Sequence, residues 1–287
     1  MAHANAVSSE KARIAGVGMI PFQKPGKSDA YDAMGETAIR QAIEDAGLAF
    51  SDIQQAYAGY VYGDSTCGQK TIYRVGMTGI PVVNVNNNCS TGSTALYLAR
   101  QAIEHGIADC VLALGFEQMN PGALGSVFTD RPSPFDPFDE ETEELVGHSE
   151  VPLALRYFGG AGKSHMDKYG TEMEDFAKIR AKASRHAARN PLALFRNEVT
   201  PGDVMQSPVM WPGVMTRLMA CPPTCGAAAA ILVSEKFAKE RGLDAGVAIV
   251  AQSMTTDTDT TFEAHDMMQV VGYDMTAAAA KDVYEQS

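Results

Sequence analysis

The residues best suited to chemistry lie in Asn84-Val-Asn-Asn-Asn-Cys-Ser-Thr-Gly-Ser-Thr-Ala-Leu96. An apolar strand ends there, a polar turn follows, and a helix begins at or just after Cys89. A cysteine at that point faces unpaired backbone N–H groups and the positive end of the helix dipole. Both favour thiolate, the nucleophilic form of the side chain. A strand–turn–helix elbow also exposes the reactive atom at its tip. Gly92 and the small Ser90, Thr91 and Ser93 leave room for a substrate. The competing reading is a buried structural cysteine, the commonest fate of a free thiol.

The other candidates carry less. Cys110 falls inside an apolar run and reads as core, and Cys67 sits in a polar loop without a clear role. Cys221 and Cys225 bracket Pro222-Pro-Thr224, a C-x₃-C with no second pair, so a zinc site is not expected. Gly159-Gly-Ala-Gly-Lys-Ser164 has Tyr157 where a phosphate loop needs glycine, and no strand leads into it. Gly16-Val-Gly18 is followed by Pro21 where the third glycine of a dinucleotide fingerprint belongs. The six histidines form no metal-binding pair, and none is an obvious general base for Cys89.

The elements that would position Cys89 can be read from periodicity. Arg13–Met19 reads as a buried strand, and 32–46 as a helix with Ala38, Ile39, Ala42 and Ile43 at helical spacing and Gly47 as its C-terminal glycine. Strands follow at 53–61, 81–85 and 109–115, with helices at 69–77 and 90–105. This alternation predicts an α/β fold with a parallel sheet covered on both faces. From about Met119 the texture changes: four prolines and the acidic run 136–144 predict irregular, solvated chain. Residues 152–190 read as helical, with Phe176, Ile179 and Ala183 on one face, and 191–225 as a Pro-punctuated loop. Gly226–Ser234 resumes the buried-strand style, so 119–225 looks like an insertion into one sheet. Ala248–Met254 echoes Arg13–Met19, and each leads into an Ala-rich helix, the second at 275–287 with no Gly or Pro stop after it.

Composition narrows the function classes. The 287 residues suggest one large domain or two ordinary ones. A net charge of −12 argues against a phosphate-backbone binder, which needs clustered Lys and Arg. No apolar run approaches the ~20 residues of a membrane span, and the small, polar residues 1–11 lack the apolar core of a signal peptide. Five widely spaced cysteines point to a reducing compartment rather than a disulfide framework.

Asn86-Asn-Asn-Cys-Ser-Thr-Gly-Ser-Thr-Ala-Leu96 resembles the nucleophile motif of thiolases, most closely the thiolase domain of the sterol carrier protein x type and its bacterial lipid-transfer relatives. Supporting stretches are Gly59–Gln69, Gly76–Pro81, Val111–Glu117, Gly162–Gly170, Phe176–Ile179 and Gly226–Ile231, so the resemblance runs over nearly the whole chain. It implies two similar α/β halves in five αβαβα layers, with a loop domain inserted in the first half to cover the substrate. The implied division is 1–118 and 226–246 for the N-terminal half, 119–225 for the loop domain, and 247–287 for the start of an incomplete C-terminal half.

The resemblance also implies the chemistry. Cys89 takes the acyl group of a 3-ketoacyl-CoA, of branched-chain or sterol side-chain type, releasing acetyl-CoA or propionyl-CoA, and passes it to free CoA. No further cofactor is implied, since CoA is a substrate. Cys221, Pro222 and Pro223 fall in the loop that contacts the pantetheine arm. This chain has Cys225-Gly226 where that loop usually reads Asp-Gly, and Val151-Pro-Leu-Ala-Leu155 where the family has an H-P-x-A-P-like stretch. The histidine of a Gly-His-Pro motif and the second, acid/base cysteine of thiolases are absent from these residues. The chain alone is therefore expected to lack thiolase turnover. The resemblance further implies a homodimer, and residence in bacterial cytoplasm or in peroxisomes. Two alternatives remain: a retro-aldolase of the same fold acting on steroid side-chain CoA thioesters with a small OB-fold partner protein, and a non-catalytic CoA- or lipid-binding module.

Overall fold

The computed structural model describes residues 11–121 and 127–287. In chain order these form β1 (Arg13–Met19), α1 (Tyr31–Ala46), β2 (Gln55–Gly59), α2 (Cys67–Tyr73), β3 (Val82–Val85), α3 (Thr91–Glu104) and β4 (Cys110–Glu117). There follow α4 (Asp136–Val146), α5 (Leu153–Tyr169), α6 (Met173–Ala188), α7 (Pro201–Gln206), β5 (Val209–Trp211) and β6 (Met215–Thr216). The chain closes with β7 (Gly226–Val233), α8 (Glu235–Arg241), β8 (Val247–Ala248), α9 (Thr260–Glu263), α10 (Met267–Val270) and α11 (Tyr273–Gln286). Two compact units result. One holds the described residues up to Pro121 with Pro223–Met254 and Gln286–Ser287; the other holds those up to Pro222 with Thr255–Glu285.

The first unit is built on a six-stranded sheet in the order β3-β2-β4-β7-β1-β8. The expected parallel pairing holds for β2 with β3 and with β4. It fails at β7, which runs antiparallel to both β4 and β1, and at β8, antiparallel to β1. Right-handed crossovers through a helix force parallel neighbours. The strand β7 instead returns from the residues between β4 and itself, so that constraint does not act on it.

Both sheet faces are covered, and the period of two along β4 sorts its side chains. Leu112 and Leu114 pack with Ala38, Ile39 and Ala42 of α1. Val111 and Ala113 pack with Ala95, Ala99 and Ala102 of α3. The alanines let the helices lie close. Gly16 and Gly18 take this to the limit: a Cβ there would fall 2.3 Å from the Ala42 carbonyl oxygen and 2.1 Å from that of Ala38. Helix-to-strand packing explains this pair of glycines without any nucleotide.

The second unit departs further from its expected texture. The acidic run is not irregular chain but helix α4, started by Pro137 in its first turn and by Asp136 and Asp139 at the positive helix end. Nor is it wholly solvated, since Glu141 and Thr142 are buried. The helical stretch 152–190 is two helices, broken at Gly170 with φ 69°. The expected loop 191–225 contains α7, capped reciprocally by Thr200 and Asp203, and the β5–β6 ribbon.

The piece expected at 247–287 is shared between the units. Val247 and Ala248 pair with Ile14 and Arg13 at the sheet edge, and the strand read at 248–254 goes no further than Ala248. Met267, Met268 and Val270 are buried in the second unit, where α10 packs on α5. The helix read at 275–287 is α11, with no buried residue.

Candidate functional site

The elbow between β3 and α3 is where the first unit presents Cys89. Asn84, at the end of β3, is anchored to α2: its Oδ1 accepts from Gly68 N at 3.0 Å and its Nδ2 donates to Gln69 Oε1 at 2.7 Å. Residues 86–90 form an exposed turn, and the helix starts at Thr91, two residues later than Cys89 itself. Asn88 has φ 46°, a left-handed conformation uncommon outside glycine and tolerated best by Asn and Asp. That reversal turns the chain sharply enough to leave Cys89 exposed at the tip.

Hydroxyl groups brace the turn. Thr91 Oγ1 accepts from Asn87 N at 2.8 Å and donates to Asn88 O at 2.5 Å. Thr94 Oγ1 accepts from Asn87 Nδ2 at 3.0 Å and donates to Ser90 O at 3.0 Å. Met254 Sδ lies 3.7 Å from Thr94 Oγ1 and 3.9 Å from Asn87 Nδ2. Below the turn, Gly59 at the end of β2 permits the helix start to sit on the sheet, since a Cβ there would fall 2.9 Å from Thr91 O. Nothing lies within 4 Å of a Cβ built at Gly92, so the helix mouth beside Cys89 is open, as its small residues suggest.

Next to the elbow, the half-buried Glu117 carboxylate accepts from Val61 N at 2.9 Å and Tyr62 N at 3.2 Å. Burial, the Glu117 charge and the proximity of Cys89 push the Tyr62 hydroxyl above its ordinary value. Cys89 Sγ itself lies 3.9 Å from Asn88 Oδ1. His105 is the one histidine among the described residues of this unit. It caps the C-terminal end of α3, about 20 Å along the helix from Cys89 at 1.5 Å per residue. Among the described residues of this unit, no histidine stands at the elbow.

The remaining candidates separate by burial. Cys110 is core, and burial pushes its thiol up to about 12. Cys67 is not in a polar loop but opens α2 in the core, hydrogen-bonded to the Tyr31 side chain, whose hydroxyl burial and that bond hold well above its usual range. Cys225 is buried, pairs through its backbone with Gln23, and has Sγ 3.5 Å from Met119 O. Cys221 and Pro222 are exposed and belong to the second unit, whereas Pro223 is half-buried in the first. Gly159–Ser164 lies in the middle of α5 and offers no loop to a phosphate. Among the described residues no His/Cys/Asp/Glu group is placed to hold a metal ion, and no helix is long and apolar enough to cross a membrane. Sequence reading missed Thr91, Thr94 and Met254 as supports of the turn. Thr91 was in view only as a small residue and Thr94 only as part of the motif, and Met254 is brought there solely by the fold.

A mixed sheet with helices on both faces, carrying an exposed cysteine on a braced strand–turn–helix elbow, defines an α/β protein. The thiolase N-terminal domain matches residues 12–210, and the chain belongs to the thiolase family. It is similar to sterol carrier protein 2 of Oryctolagus cuniculus, with 49% identity over 278 residues covering 96% of this chain and 51% of that protein. The corresponding Homo sapiens protein is 48% identical with the same coverage. Non-specific lipid-transfer protein-like 2 of Caenorhabditis elegans is 39% identical, covering 96% and 69%. The chain thus spans about half the length of the mammalian relatives. Among solved structures, an Ltp2-ChsH2(DUF35) aldolase shares the fold with a TM-score of 0.75 at 20% identity, covering 96% of this chain and 69% of that one. Acetyl-CoA acetyltransferase from Syntrophomonas wolfei does so with a TM-score of 0.68 at 17% identity, covering 96% and 75%.

Proposed function

We propose that the chain carries the nucleophile of a thiolase-type acyltransferase acting on 3-ketoacyl-CoA of branched-chain or sterol side-chain type. The observation that carries this reading is Cys89, exposed at the tip of an elbow whose backbone is held by Thr91 and Thr94. The thiolate attacks the 3-keto carbon, and the bond between C2 and C3 breaks. C2 takes a proton and leaves as acetyl-CoA or propionyl-CoA, and the acyl group remains on Sγ as a thioester. Free CoA then takes up the acyl group and regenerates the thiol. Splitting one hard cleavage into two easier steps is the gain of covalent catalysis. The Cys89 N–H, at the start of the turn into α3, is assigned as one oxyanion donor. The base for the thiol and the acid for C2 come from chain outside these residues. Cys221, Pro222 and Pro223 are assigned to the pantetheine arm. No bound cofactor takes part, a homodimer is the working assembly, and bacterial cytoplasm or a peroxisome is its place.

The test, on a longer chain that also supplies the base, is acyl transfer from a labelled 3-ketoacyl-CoA, followed by peptide mass spectrometry. A thioester on Cys89, lost in Cys89→Ser, is the expected result; undiminished labelling in Cys89→Ser rules Cys89 out. A second reading, retro-aldol cleavage of steroid side-chain CoA thioesters with a small OB-fold partner, is favoured by the fold shared with the Ltp2-ChsH2(DUF35) aldolase. Such cleavage needs no acyl-cysteine, so turnover that survives Cys89→Ser selects it.

A further inference from the structure

We propose that Thr91 is the positioning residue for the Cys89 thiol. This rests on Cys89 being the nucleophile. Asn88 holds φ 46° where the chain turns outward at Cys89, a conformation that Asn tolerates better than most residues but that still costs free energy. The Thr91 hydroxyl grips the Asn87–Asn88 pair from both ends. It accepts from Asn87 N at 2.8 Å and donates to Asn88 O at 2.5 Å. A single hydroxyl thereby spans the pair, from the N–H that enters Asn87 to the carbonyl that leaves the strained Asn88.

The rest of the side chain fixes that hydroxyl. Thr91 is 5% exposed, and its Cγ2 lies 2.8 Å from where a Cβ on Gly59 would be, so the methyl rests on the bare backbone of β2. A β-branched side chain is stiff about χ1, and seating the methyl selects the rotamer that aims Oγ1 back at the turn. The glycine beneath admits this seating: the methyl fits only because position 59 has no side chain. The hydroxyl is the group that acts, and Thr94 cannot substitute for it, because the Thr94 hydroxyl serves the Asn87 side chain and Ser90 O rather than Asn87 N and Asn88 O.

The exposed Cys221 supplies an internal control for testing this. The protein is treated with limiting iodoacetamide, and the ratio of alkylation at Cys89 to that at Cys221 is read by mass spectrometry. In Thr91→Val, which keeps the shape and removes the hydroxyl, the ratio should fall about tenfold as the strained turn relaxes. Thr91→Ser, which keeps the hydroxyl, should restore it to within about twofold. A residue with a merely structural role would lower the thermal midpoint in either variant and leave the ratio alone. An unchanged ratio in folded Thr91→Val overturns the proposal, and so does a tenfold fall in Thr91→Ser, which can be read even if the valine variant does not fold. Alkylation does not depend on the acyl-transfer reading. If no variant or parent is acylated by 3-ketoacyl-CoA while the ratios behave as stated, the function fails and the positioning role of Thr91 stands.

Discussion

Gly16 and Gly18 of the sheet unit and Gly159 and Gly160 of the other unit differ in what surrounds them. In the sheet unit, a Cβ on Gly16 or Gly18 would strike main-chain atoms of α1 at 2.1 to 2.7 Å. In the other unit, a Cβ on Gly159 meets the ring of Trp211, and one on Gly160 meets the side-chain atoms of Met267 at 3.0 Å. Backbone cannot step aside, whereas the end of a methionine can. The same contrast shows in how each is filled. The sheet unit buries Leu112, Leu114, Ile231, Leu232 and Val233 between alanine-rich helices. The second unit keeps an open cavity of about 330 Å³ lined by Phe158, Phe176, Ile179 and Met215, with Phe158 66% and Ile179 65% exposed. Among the described residues its buried Thr142 Oγ1 and Arg156 Nε have no hydrogen-bond partner, against Gln252 Oε1 alone in the sheet unit. Around Gly16 and Gly18 the sheet unit that carries Cys89 is packed against main chain, and the other unit has side chains that can adapt.

Glycine substitutions test this difference most severely. Gly18→Ala should cost more than about 3 kcal/mol or abolish soluble expression, because α1 must lift off β1. Gly160→Ala should be near neutral in thermal unfolding, since Met267 can turn away and alanine is favoured over glycine in a helix by up to about 1 kcal/mol. Equal losses in the two variants would erase the contrast. A smaller effect is expected at Thr142, which is fully buried with an orphan hydroxyl. Thr142→Val keeps the volume and should raise stability by up to about 1 kcal/mol; a clear loss would mean that the hydroxyl has a partner after all.

The smallest effect belongs to the sheet unit's surface. The Arg74 and then the Arg40 guanidinium hold the Glu36 carboxyl below its ordinary value. A depressed carboxyl contributes stability above its unfolded value and loses it as pH falls through the folded one. Glu36→Gln should therefore unfold at a slightly lower temperature than the parent at pH 7. The gap should close as pH falls below the ordinary ~4.3 of a glutamate and on through the lower folded-state value, where both states of the parent become protonated. A gap that persists at low pH would show that the pair acts by packing rather than by charge.

Much of this was legible beforehand, for identifiable reasons. β1, α1, α3 and β4 follow their apolar periods closely, and Gly47 ends α1 with φ 64° as its position in the sequence requires. Periodicity misled where charge and proline dominate. The acidic run is a helix because Asp136, Pro137 and Asp139 all suit a helix N-terminus, a positional effect that composition hides. Cys67 was misplaced because its polar neighbours concealed a residue turned into the core.

By itself, the sequence determined that Cys89 sits between an apolar strand and a helix among residues small enough to admit a substrate, because strand and helix periods and side-chain size are local properties. Only the tertiary structure decided how that cysteine is held. The left-handed Asn88 and the Thr91 hydroxyl spanning Asn87 N and Asn88 O are close in sequence but are geometry that residue types do not reveal. The glycine of β2 beneath Thr91 and the approach of Met254 depend on atoms distant in sequence. The direction of β7, antiparallel to both β4 and β1, was decided there as well.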